Sequence, residues 1–430
     1  MEVRESSAKY LRTSYVQTDL GVLPADWRIA EIGEIAETSS GTTPSRSQYD
    51  RYFKGGVHAW VKTLDLNNAE ILETDESVTD KAVEETSLRL FPEGSVLVAM
   101  YGGLRQIGRT GLLRLPAAVN QAITAIRPNQ AVFRPEFLLF YLNHRVGHWQ
   151  SVASSSRKDP NITGADVRAF KLPLPEIGEQ QRVATALADV NALIDSLEQL
   201  LTKKRQIKQG AMQELLTGKR RLPGFNGRWV SCMWGELIDT CSSGATPLRS
   251  RPDYYRGSIR WISSGELNYN VINETIEHIS SEAFEQTNLK LHPVGTFLMA
   301  ITGLEAEGTR GACGIVGKPA ATNQSCMAIY PTSKLLTAYL FHYYVYRGND
   351  LALRYCQGTK QQSYTAALVR VLPIECPEST DEQLAIAEAL GDMDAEITAL
   401  EDRVTKARAL KQAMAQALLT GRIRLLEPTT

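Results

Sequence analysis

The sequence predicts an α+β fold in which two repeated globular domains are separated by a long intramolecular antiparallel two-helix coiled coil. Three observations predict it: two long segments with the heptad pattern of paired helices, a repeat of motifs about 203 positions apart, and short apolar runs between glycine-rich turns. Ser95–Met100 and Thr296–Ile301 are such runs and indicate strands. Phe137–Trp149 and Leu335–Arg347 indicate helices inside the domains.

The two long helices are predicted at residues 176–217 and 378–420. Residues 182–217 contain no proline and one glycine, and positions spaced alternately by four and three from Val183 to Leu215 are mostly apolar. The same positions in the second copy run from Ile386 to Leu418. The exceptions among these positions are Lys204, Lys208 and Lys411.

The helix ends carry sequence signals as well. Thr380 followed by Gln383 predicts a capping box at the start of the second helix, and Gly218 and Gly421 lie where a glycine ends a helix. At ~1.5 Å per residue a helix from Val183 to Leu215 would span roughly 50 Å. Because such a helix is not expected to be stable alone, we expect it to pack against its copy.

The lysines in the heptad pattern predict the orientation of the pair. In a parallel, in-register pair Lys208 would face Lys411, and like charges are costly in a partly buried position. In an antiparallel pair Lys208 falls beside Asp392 and Asp394, and Lys411 falls beside Asp189. The sequence therefore favours the antiparallel arrangement, with a pseudo-two-fold axis.

The composition is that of an ordinary soluble globular protein, with 43% hydrophobic and 22% charged residues. The first 20 residues are polar and charged, and no apolar run approaches the length of a membrane span, so the expected location is the cytoplasm. All six cysteines lie in the second half without a Cys-x-x-Cys pair, which favours reduced structural thiols. The net charge of −1 argues against a simple basic nucleic-acid binder.

The repeat extends through the globular domains. Ser39–Arg46 matches Ser242–Arg249, a segment that contains Gly-Thr-Thr-Pro in the first copy and Gly-Ala-Thr-Pro in the second. Other matching pairs are Trp27 and Trp229, Gly33–Glu34 and Gly235–Glu236, Trp60 and Trp261, Gly108–Gly111 and Gly311–Gly314, and Asn120–Gln121 and Asn323–Gln324. Each repeat unit is thus about 150 residues of globular domain followed by about 40 residues of helix.

In their order and duplication these motifs resemble those of the specificity subunits of type I restriction-modification enzymes. The resemblance covers nearly the whole chain, and the motifs that carry it are Leu23–Pro24–x–x–Trp27, Gly41–Pro44, Asn120–Gln121, Leu172–Pro175 leading to Glu179–Gln180, and Leu215–Gly218. It implies two target-recognition domains, each binding one half of a split double-stranded DNA sequence, held apart by the two helices. The two recognition halves differ strongly outside the motifs, as unequal half-sites require.

The domain boundaries that follow are an N-terminal segment 1–22, target-recognition domain 1 at 23–175, spacer helix 1 at 176–222, target-recognition domain 2 at 223–377 and spacer helix 2 at 378–426. The resemblance also implies two modification (methyltransferase) subunits and restriction subunits as partners. S-adenosylmethionine, and ATP with magnesium, would then be bound by those partners and not by this chain.

The absence of catalytic motifs agrees with a subunit that is not an enzyme on its own. The sequence has no Gly-x-x-x-x-Gly-Lys-Ser/Thr phosphate loop, no Gly-x-Gly-x-x-Gly turn, no Asn/Asp-Pro-Pro-Tyr/Phe methyltransferase box and no convincing nuclease core. His144 and His148 have a spacing that suits a metal ion, but without a third ligand a surface or packed helical pair is favoured. We therefore expect no cofactor, metal or catalytic residue in this chain.

Candidate DNA contacts are loop residues with donor groups that match base edges or phosphates. In the first domain they are Ser45, Arg46, Lys62, Thr63, Arg105, Gln106, Arg109, Arg157 and Lys158. In the second domain they are Arg249, Arg251, Ser263, Ser264, Arg310, Lys360, Gln361, Gln362 and Tyr364. Any one of them alone is more often a solvated surface residue. Their recurrence at equivalent places in both copies supports DNA contact more strongly for the set than for any single residue.

Several alternatives stay open at the level of sequence. The basic runs Lys203–Lys208 and Lys219–Arg221 suit either DNA phosphates or the negative end of a helix dipole. Trp60 and Trp261 suit base stacking, although core packing is favoured. For the whole chain, the alternatives to a DNA-specificity subunit are a coiled-coil scaffold that binds only proteins and a metal hydrolase that uses the two histidines.

Overall fold

The computed structural model describes residues 14–154, 160–356 and 362–427 of the 430-residue chain. The chain forms two compact units. The first joins Met1–Leu197 to Arg403–Thr430, and the second is Glu198–Asp402. Each unit therefore consists of a globular part, called here the first or second domain, and one end of each long helix.

The first unit contains twelve strands and, besides the long helices, six short α-helices among its described residues. The strands are β1 (Tyr15–Thr18), β2 (Gly21–Pro24), β3 (Arg28–Glu31), β4 (Thr38–Ser40), β5 (His58–Val61), β6 (Ala69–Ile71), β7 (Glu76–Val78), β8 (Val96–Ala99), β9 (Thr110–Leu113), β10 (Ala117–Val119), β11 (Ile123–Ile126) and β12 (Lys171–Leu174). The helices are α1 (Ile32–Ile35), α2 (Tyr49–Tyr52), α3 (Asp80–Glu85), α4 (Pro135–His144), α5 (Val146–Ser154) and α6 (Gly164–Arg168), with 3-10 turns at Arg46–Gln48 and Thr63–Asp65.

The central sheet of the first domain has the strand order β4-β11-β8-β9-β6, and β6 pairs with β9 in parallel. A second sheet has the order β10-β5-β7, with β10 parallel to β5. β8 lies in the middle of the five-stranded sheet, and all four of its residues are buried. Its sequence is therefore a continuous apolar run and does not alternate as a half-exposed strand does.

The long helices are α7 (Ile177–Leu215) and α12 (Thr380–Leu418). The strands of the second unit are β13 (Trp229–Met233), β14 (Ile238–Ser243), β15 (Ile259–Ile262), β16 (Asn270–Ile272), β17 (Glu277–Ile279), β18 (Phe297–Ala300), β19 (Cys313–Val316), β20 (Ala320–Thr322), β21 (Cys326–Pro331) and β22 (Pro373–Pro377). The remaining helices are α8 (Trp234–Leu237), α9 (Ser281–Gln286), α10 (Thr337–Tyr355) and α11 (Ala366–Arg370), with 3-10 turns at Pro252–Tyr255 and Ser264–Glu266.

The second domain repeats the topology of the first. Its five-stranded sheet has the order β14-β21-β18-β19-β16, its three-stranded sheet has the order β17-β15-β20, and the β16–β19 and β15–β20 pairs are parallel as their counterparts are. The predicted strands at Ser95–Met100 and Thr296–Ile301 are β8 and β18, which are equivalent central strands. The internal repeat found in the sequence is thus confirmed as a repeat of the fold.

In both units the long helices pack antiparallel. In the first unit the start of α7, with Val183 and Leu187, shares a hydrophobic core with Leu418 at the end of α12. In the second unit the end of α7, with Leu215, shares a core with Ile386 at the start of α12. The predicted antiparallel pair is therefore confirmed, and the heptad residues at the helix ends also complete the cores of the domains.

The basic run of α7 is paired with acidic residues of α12 in the second unit. Lys208 forms the predicted ion pair with Asp394. Further pairs join Lys204 Nζ to Glu396 Oε1 and Arg205 Nη2 to Glu401 Oε1, each at 2.6 Å. These lysines and this arginine are therefore neutralised within the protein, which removes them as the first choice for DNA phosphates.

Three details differ from the sequence predictions. No ion pair joins Lys411 to Asp189 among the described residues. The capping box at Thr380 is wrong, because Glu382 N donates to the Ser379 hydroxyl at 3.4 Å, while the Gln383 amide donates to the backbone carbonyl of Pro377. The predicted helix at 137–149 is two helices, α4 and α5. Among the described residues no helix is long and apolar enough to cross a membrane.

Buried histidines make the second unit sensitive to acid. Burial lowers the pKa of His292 and of His342 from 6.5 to about 4. The unfolded chain binds a proton at each site below pH about 6.5, whereas the folded unit stays neutral, so stability is lost as the pH falls toward 4. Each histidine is expected to cost about 3 kcal/mol of unfolding free energy at that pH.

Urea unfolding of the second unit at neutral and acid pH measures this loss. Phe91 stands at the position of the first domain that corresponds to His292. The His292→Phe variant should therefore lose roughly half of the pH dependence while keeping an aromatic ring in the core. A variant with the full wild-type pH dependence would contradict the assignment.

Candidate nucleic-acid interface

A polar turn follows strand β4 in the first domain. In the turn Gly41–Pro44, a β-carbon on Gly41 would lie 1.9 Å from Val119 O, so only glycine fits against this backbone. The Thr43 hydroxyl donates a hydrogen bond to Gln121 Oε1; Thr43 is half-buried and Gln121 is exposed. The close approach of Gly41 thus fixes Thr43 beside Gln121 at the surface.

The second domain builds the same turn from different residues. A β-carbon on Gly244 would lie 1.9 Å from Thr322 O, and the Thr246 hydroxyl donates to Gln324 Oε1. A glutamine amide carries a donor and an acceptor side by side, which is the arrangement that matches the edge of adenine in the major groove. Gln121 and Gln324 therefore present equivalent amide groups in the two domains.

Arg46 lies near this turn in the first domain, and contacts within the same domain hold its side chain in place. Its Cζ is 4.3 Å from the centroid of the Phe53 ring and 5.2 Å from that of the Trp60 ring. Its Nη1 is 2.7 Å from Glu76 Oε2, and Lys62 Nζ is 3.0 Å from Glu76 Oε1. The hydrogen bond from Arg46 lowers the pKa of Glu76. One carboxylate thus pairs with two of the predicted DNA contacts.

Arg249 repeats this arrangement in the second domain. Its Cζ is 4.3 Å from the centroid of the Tyr255 ring and 5.2 Å from that of Trp261, and its Nη1 is 2.6 Å from Glu277 Oε1. That pairing lowers the pKa of Glu277. Trp60 is 2% and Trp261 is 1% exposed, which confirms core packing and not base stacking for both rings.

Arg251 is also paired within its domain. Its Nη2 lies 2.6 Å from Asp253 Oδ2 and 3.4 Å from Glu282 Oε1, and its Cζ lies 4.5 Å from the centroid of the Tyr254 ring. A phosphate at this position would have to compete with two carboxylates. Arg46, Lys62 and Arg249 are likewise each paired with at least one carboxylate.

The hydroxyl-bearing candidates shape the loops around the turns. The Ser45 hydroxyl forms a 2.8 Å hydrogen bond with that of Ser47, and both are exposed. Thr63 and Ser264 begin 3-10 turns, and the Ser263 hydroxyl donates to Glu266 Oε2 at 2.8 Å. These residues are structural parts of the loops, and their contact with DNA stays a prediction.

Arg105, Gln106 and Arg109 lie together in the segment between β8 and β9. Arg109 Nε donates to Arg105 O at 3.2 Å, and Gln106 N donates to Gly103 O at 2.9 Å. The Arg105 guanidinium is exposed and makes no ion pair or hydrogen bond with any residue of the described ranges 14–154, 160–356 and 362–427. Of the predicted contacts that fall within the described residues, Arg105 is therefore the most available to an anion.

In the corresponding segment of the second domain, the arginine side chain is hydrogen-bonded to the backbone. Arg310 donates from Nε to Leu304 O at 2.8 Å and from Nη2 to Glu305 O at 3.0 Å. Gln362 N donates to Glu305 Oε2 at 2.9 Å. Tyr364 was predicted as a DNA contact but is 3% exposed and packs in the hydrophobic core, which corrects that prediction.

Comparison with known proteins gives the family. The model of the type I restriction modification DNA specificity domain matches residues 24–209 and again 226–407. The chain belongs to this specificity family. The two matches cover the two repeats that the sequence predicts and the fold confirms.

Two curated relatives each align with roughly half of this chain. The type I restriction enzyme MjaIX specificity subunit of Methanocaldococcus jannaschii is 29% identical over 187 residues, which are 43% of this chain and 42% of the relative. The EcoR124I/EcoR124II specificity subunit of Escherichia coli is 23% identical over 215 residues, 49% of this chain and 51% of the relative. The chain thus spans about half the length of the curated relatives that it matches.

Solved structures share the fold over a longer range. The S subunit of a type I restriction-modification system from M. genitalium matches with a TM-score of 0.60 and 11% identity, covering 91% of this chain and 96% of that one. A chain of another type I restriction-modification system matches with a TM-score of 0.55 and 17% identity, covering 93% and 99%. The arrangement of strands and helices is therefore a fold of the specificity family.

The turn residues Thr43, Gln121, Thr246 and Gln324 were not among the predicted site residues of this specificity-family chain. A signal was present, since the Asn-Gln step repeats 203 positions apart in the sequence. The sequence alone does not indicate that this glutamine lies beside the threonine of the polar turn, because the two residues are 78 positions apart. Arg157, Lys158, Lys360 and Gln361 lie outside the described residues, so their role stays a prediction.

His148 of the first domain packs against aromatic neighbours. The ring centroid of His148 lies 5.2 Å from that of Trp149 and 5.0 Å from that of Phe170. Burial lowers the pKa of both His144 and His148. Among the described residues no group of three or more histidine, cysteine, aspartate and glutamate side chains is placed to hold a metal ion.

Proposed function

We propose that the chain is the sequence-specific DNA-binding specificity subunit of a type I restriction-modification system. It recognises a bipartite DNA target and positions methyltransferase and restriction subunits for adenine methylation or cleavage. The observation that carries this proposal is the double match of one family model to two domains of the same topology. Each domain presents the same Thr–Gln turn at its surface.

The side chains around the two turns explain why the half-sites would differ. In the first domain Lys62 and Asp75 lie beside the paired Arg46. In the second domain Ser263 and the exposed Ile276 occupy the corresponding positions. Domains that share a backbone but differ in charge read different base pairs, and a mismatched pair typically costs ~1–3 kcal/mol.

Catalysis would reside on the partners. The target adenine has to leave the base stack to be methylated, so a modification subunit would flip the base that these domains locate. S-adenosylmethionine, and ATP with magnesium in the restriction complex, would bind there. Two modification subunits on the helical frame, with restriction subunits beside them, would act in the cytoplasm. Because the chain has a net charge of −1, it would bind DNA weakly by itself.

The test is to reconstitute the chain with methyltransferase subunits and to map methylated adenines in a genome that carries the complex. Two short specified half-sites separated by an unspecified spacer are expected. A continuous motif would contradict the two-domain readout. A complex without salt-dependent, sequence-selective DNA binding would overturn the function and leave a scaffold that binds only proteins.

The two glutamines provide a sharper prediction. Gln121→Ala should relax discrimination at one base pair of one half-site, and Gln324→Ala should do so in the other half-site, each by about 5- to 150-fold (~1–3 kcal/mol) because a bidentate base contact is lost. Methylation rates on duplexes with single substitutions measure this. Gln17→Ala, at an exposed glutamine away from the turns, is the matched control. Equal loss in both half-sites from one substitution would contradict the assignment.

A further inference from the structure

An open cleft of about 880 Å³ lies beside β4 in the first domain. Arg89, Arg127 and Arg168 line it, and we call it the arginine cleft. These arginines come from three separate parts of the domain: the segment after α3, the end of β11 and the last residue of α6. None of them belongs to the set predicted from the sequence, because they lie 38 or more positions apart in the chain.

The backbone fixes two of these arginines at the cleft. Arg127 N donates to Glu37 O at 2.9 Å, which extends the pairing of β11 with β4 by one residue. A β-carbon on Gly33 would lie 3.0 Å from Arg168 Cβ, so the glycine leaves room for the Arg168 side chain. The arginines are therefore held at the rim of the cleft by the fold of the domain.

Three arginines and two glutamates, Glu34 and Glu37, line the arginine cleft, so the charged side chains of its lining sum to +1. Within the part of the chain that the structure describes, the guanidinium groups of Arg89 and Arg168 form no ion pair or hydrogen bond. Arg127 has Glu37 at 3.9 Å, and that glutamate side chain is 85% exposed. By contrast, Arg46, Lys62, Arg249 and Arg251 are each paired with at least one carboxylate. The cleft thus offers two guanidinium groups, those of Arg89 and Arg168, that have no carboxylate partner among the described residues.

The second domain lacks this arrangement. The corresponding positions are occupied by Lys290, Tyr330 and Arg370. Arg370 Nη2 donates to Asp239 O at 3.0 Å, and Tyr330 OH lies 2.5 Å from His292 Nδ1. The arginine cleft is therefore a property of the first domain alone.

We propose that the arginine cleft binds the phosphodiester backbone of the DNA whose bases the adjoining Gly41–Pro44 turn contacts. The inference rests on the proposed function and adds the site that anchors the duplex on the first domain. Guanidinium groups bind phosphate oxygens in a bidentate manner, and three of them meet here with the hydroxyl of Ser39 and the amide of Asn129. β4 runs from this cleft directly into the turn, a distance of about 10 Å for three residues.

The size of the cleft and the nearby polar turn favour DNA as the occupant. A free phosphate is far smaller than the opening, whereas a duplex backbone presents successive charges that three separated arginines can each meet. The polar turn that follows β4 supplies the amide of Gln121, which the proposed function assigns to base contact. Phosphate contacts of this kind fix the position of the duplex and carry no sequence information.

Salt-dependent binding of the chain reconstituted with its methyltransferase subunits tests the site. Affinities for one duplex with the bipartite target and one without it are measured across a salt series. The triple variant R89A/R127A/R168A should weaken binding to both duplexes by the same factor and reduce the slope of log K against log salt by about 2–3, since each phosphate contact contributes about 0.9. Glu37→Gln should act in the opposite direction and tighten binding to both.

The variant R28A/K54A/K81A is the matched control, because it removes three exposed cations of the same domain outside the cleft. Its slope should stay within about one contact of wild type. If the cleft variant keeps the steep wild-type slope of log K against log salt, the cleft is not the phosphate-binding site. The proposed function would then still stand. Loss of methyltransferase binding with unchanged DNA affinity would overturn the cleft proposal in favour of an acidic protein segment. A wild-type complex without salt-dependent binding would overturn the proposed function itself.

Discussion

Replacing Arg424 by alanine is expected to destabilise the first unit by about 3–5 kcal/mol, the usual cost of removing one partner of a buried ion pair. Arg424 donates to Glu179 from Nε at 2.6 Å and from Nη2 at 2.7 Å, and the Glu179 side chain is only 1% exposed. Trp27 Nε1 donates to the same carboxylate at 3.3 Å. Without the guanidinium, a buried carboxylate would keep one weak donor and no counter-charge.

Urea unfolding followed by tryptophan fluorescence measures the effect of Arg424→Ala, because Trp27 lies in this cluster. Arg422→Ala is the matched control, since Arg422 is an exposed arginine two positions away, and it should change the unfolding free energy by less than about 0.5 kcal/mol. Replacing Glu179 and Arg424 together by apolar residues should recover most of the loss, because no buried charge is then left unpaired. A loss below about 1 kcal/mol for Arg424→Ala would show that the pair is not buried in solution.

Replacing Gly41 by alanine is expected to cost about 3 kcal/mol and to abolish recognition by the first domain. The new β-carbon would lie 1.9 Å from Val119 O, which is a backbone atom and cannot rotate away. The turn would have to move off the sheet, and the hydrogen bond from Thr43 to Gln121 would be lost with it. Unfolding measurements and methylation of duplexes with a substituted first half-site report the two effects.

The control for Gly41→Ala is another glycine in the same chain. Gly210 lies in α7, and a β-carbon added there would have no neighbouring atom within 4 Å, so Gly210→Ala should stabilise the protein by up to about 1 kcal/mol through helix propensity. Methylation of both half-sites should be unaffected by that change. Normal recognition of the first half-site by Gly41→Ala would show that the turn does not carry the readout.

The helical frame was predictable because its signal is periodic and is present twice. The heptad positions predicted both helices, and the charge of Lys208 predicted its ion pair with Asp394. Lys411 did not follow the same logic. Asn191 takes the place of Asp394 in the first unit, and the expected pair with Asp189 is not among the contacts of the described residues. Approximate repeats thus predict backbone geometry better than individual ion pairs.

The strand order and the site were less predictable, because both depend on contacts between distant residues. No local sequence pattern indicates that β11 lies between β4 and β8. Likewise, the sequence marks Arg46 and Arg249 as free cations, whereas Glu76 and Glu277, 30 and 28 positions further on, neutralise them. Gln383 shows the same effect at a helix start, where its amide bonds to Pro377 O and does not cap the helix.

The buried pair of Glu179 with Arg424 also sets the order in which the protein can mature during synthesis. The partners are 245 positions apart, so at ribosomal rates the first unit waits roughly 10–50 s for its counter-charge after Glu179 has been made. The equivalent pair of the second unit, Arg221 with Glu382, is separated by only 161 positions and is complete earlier. The domain that is translated first is therefore completed last.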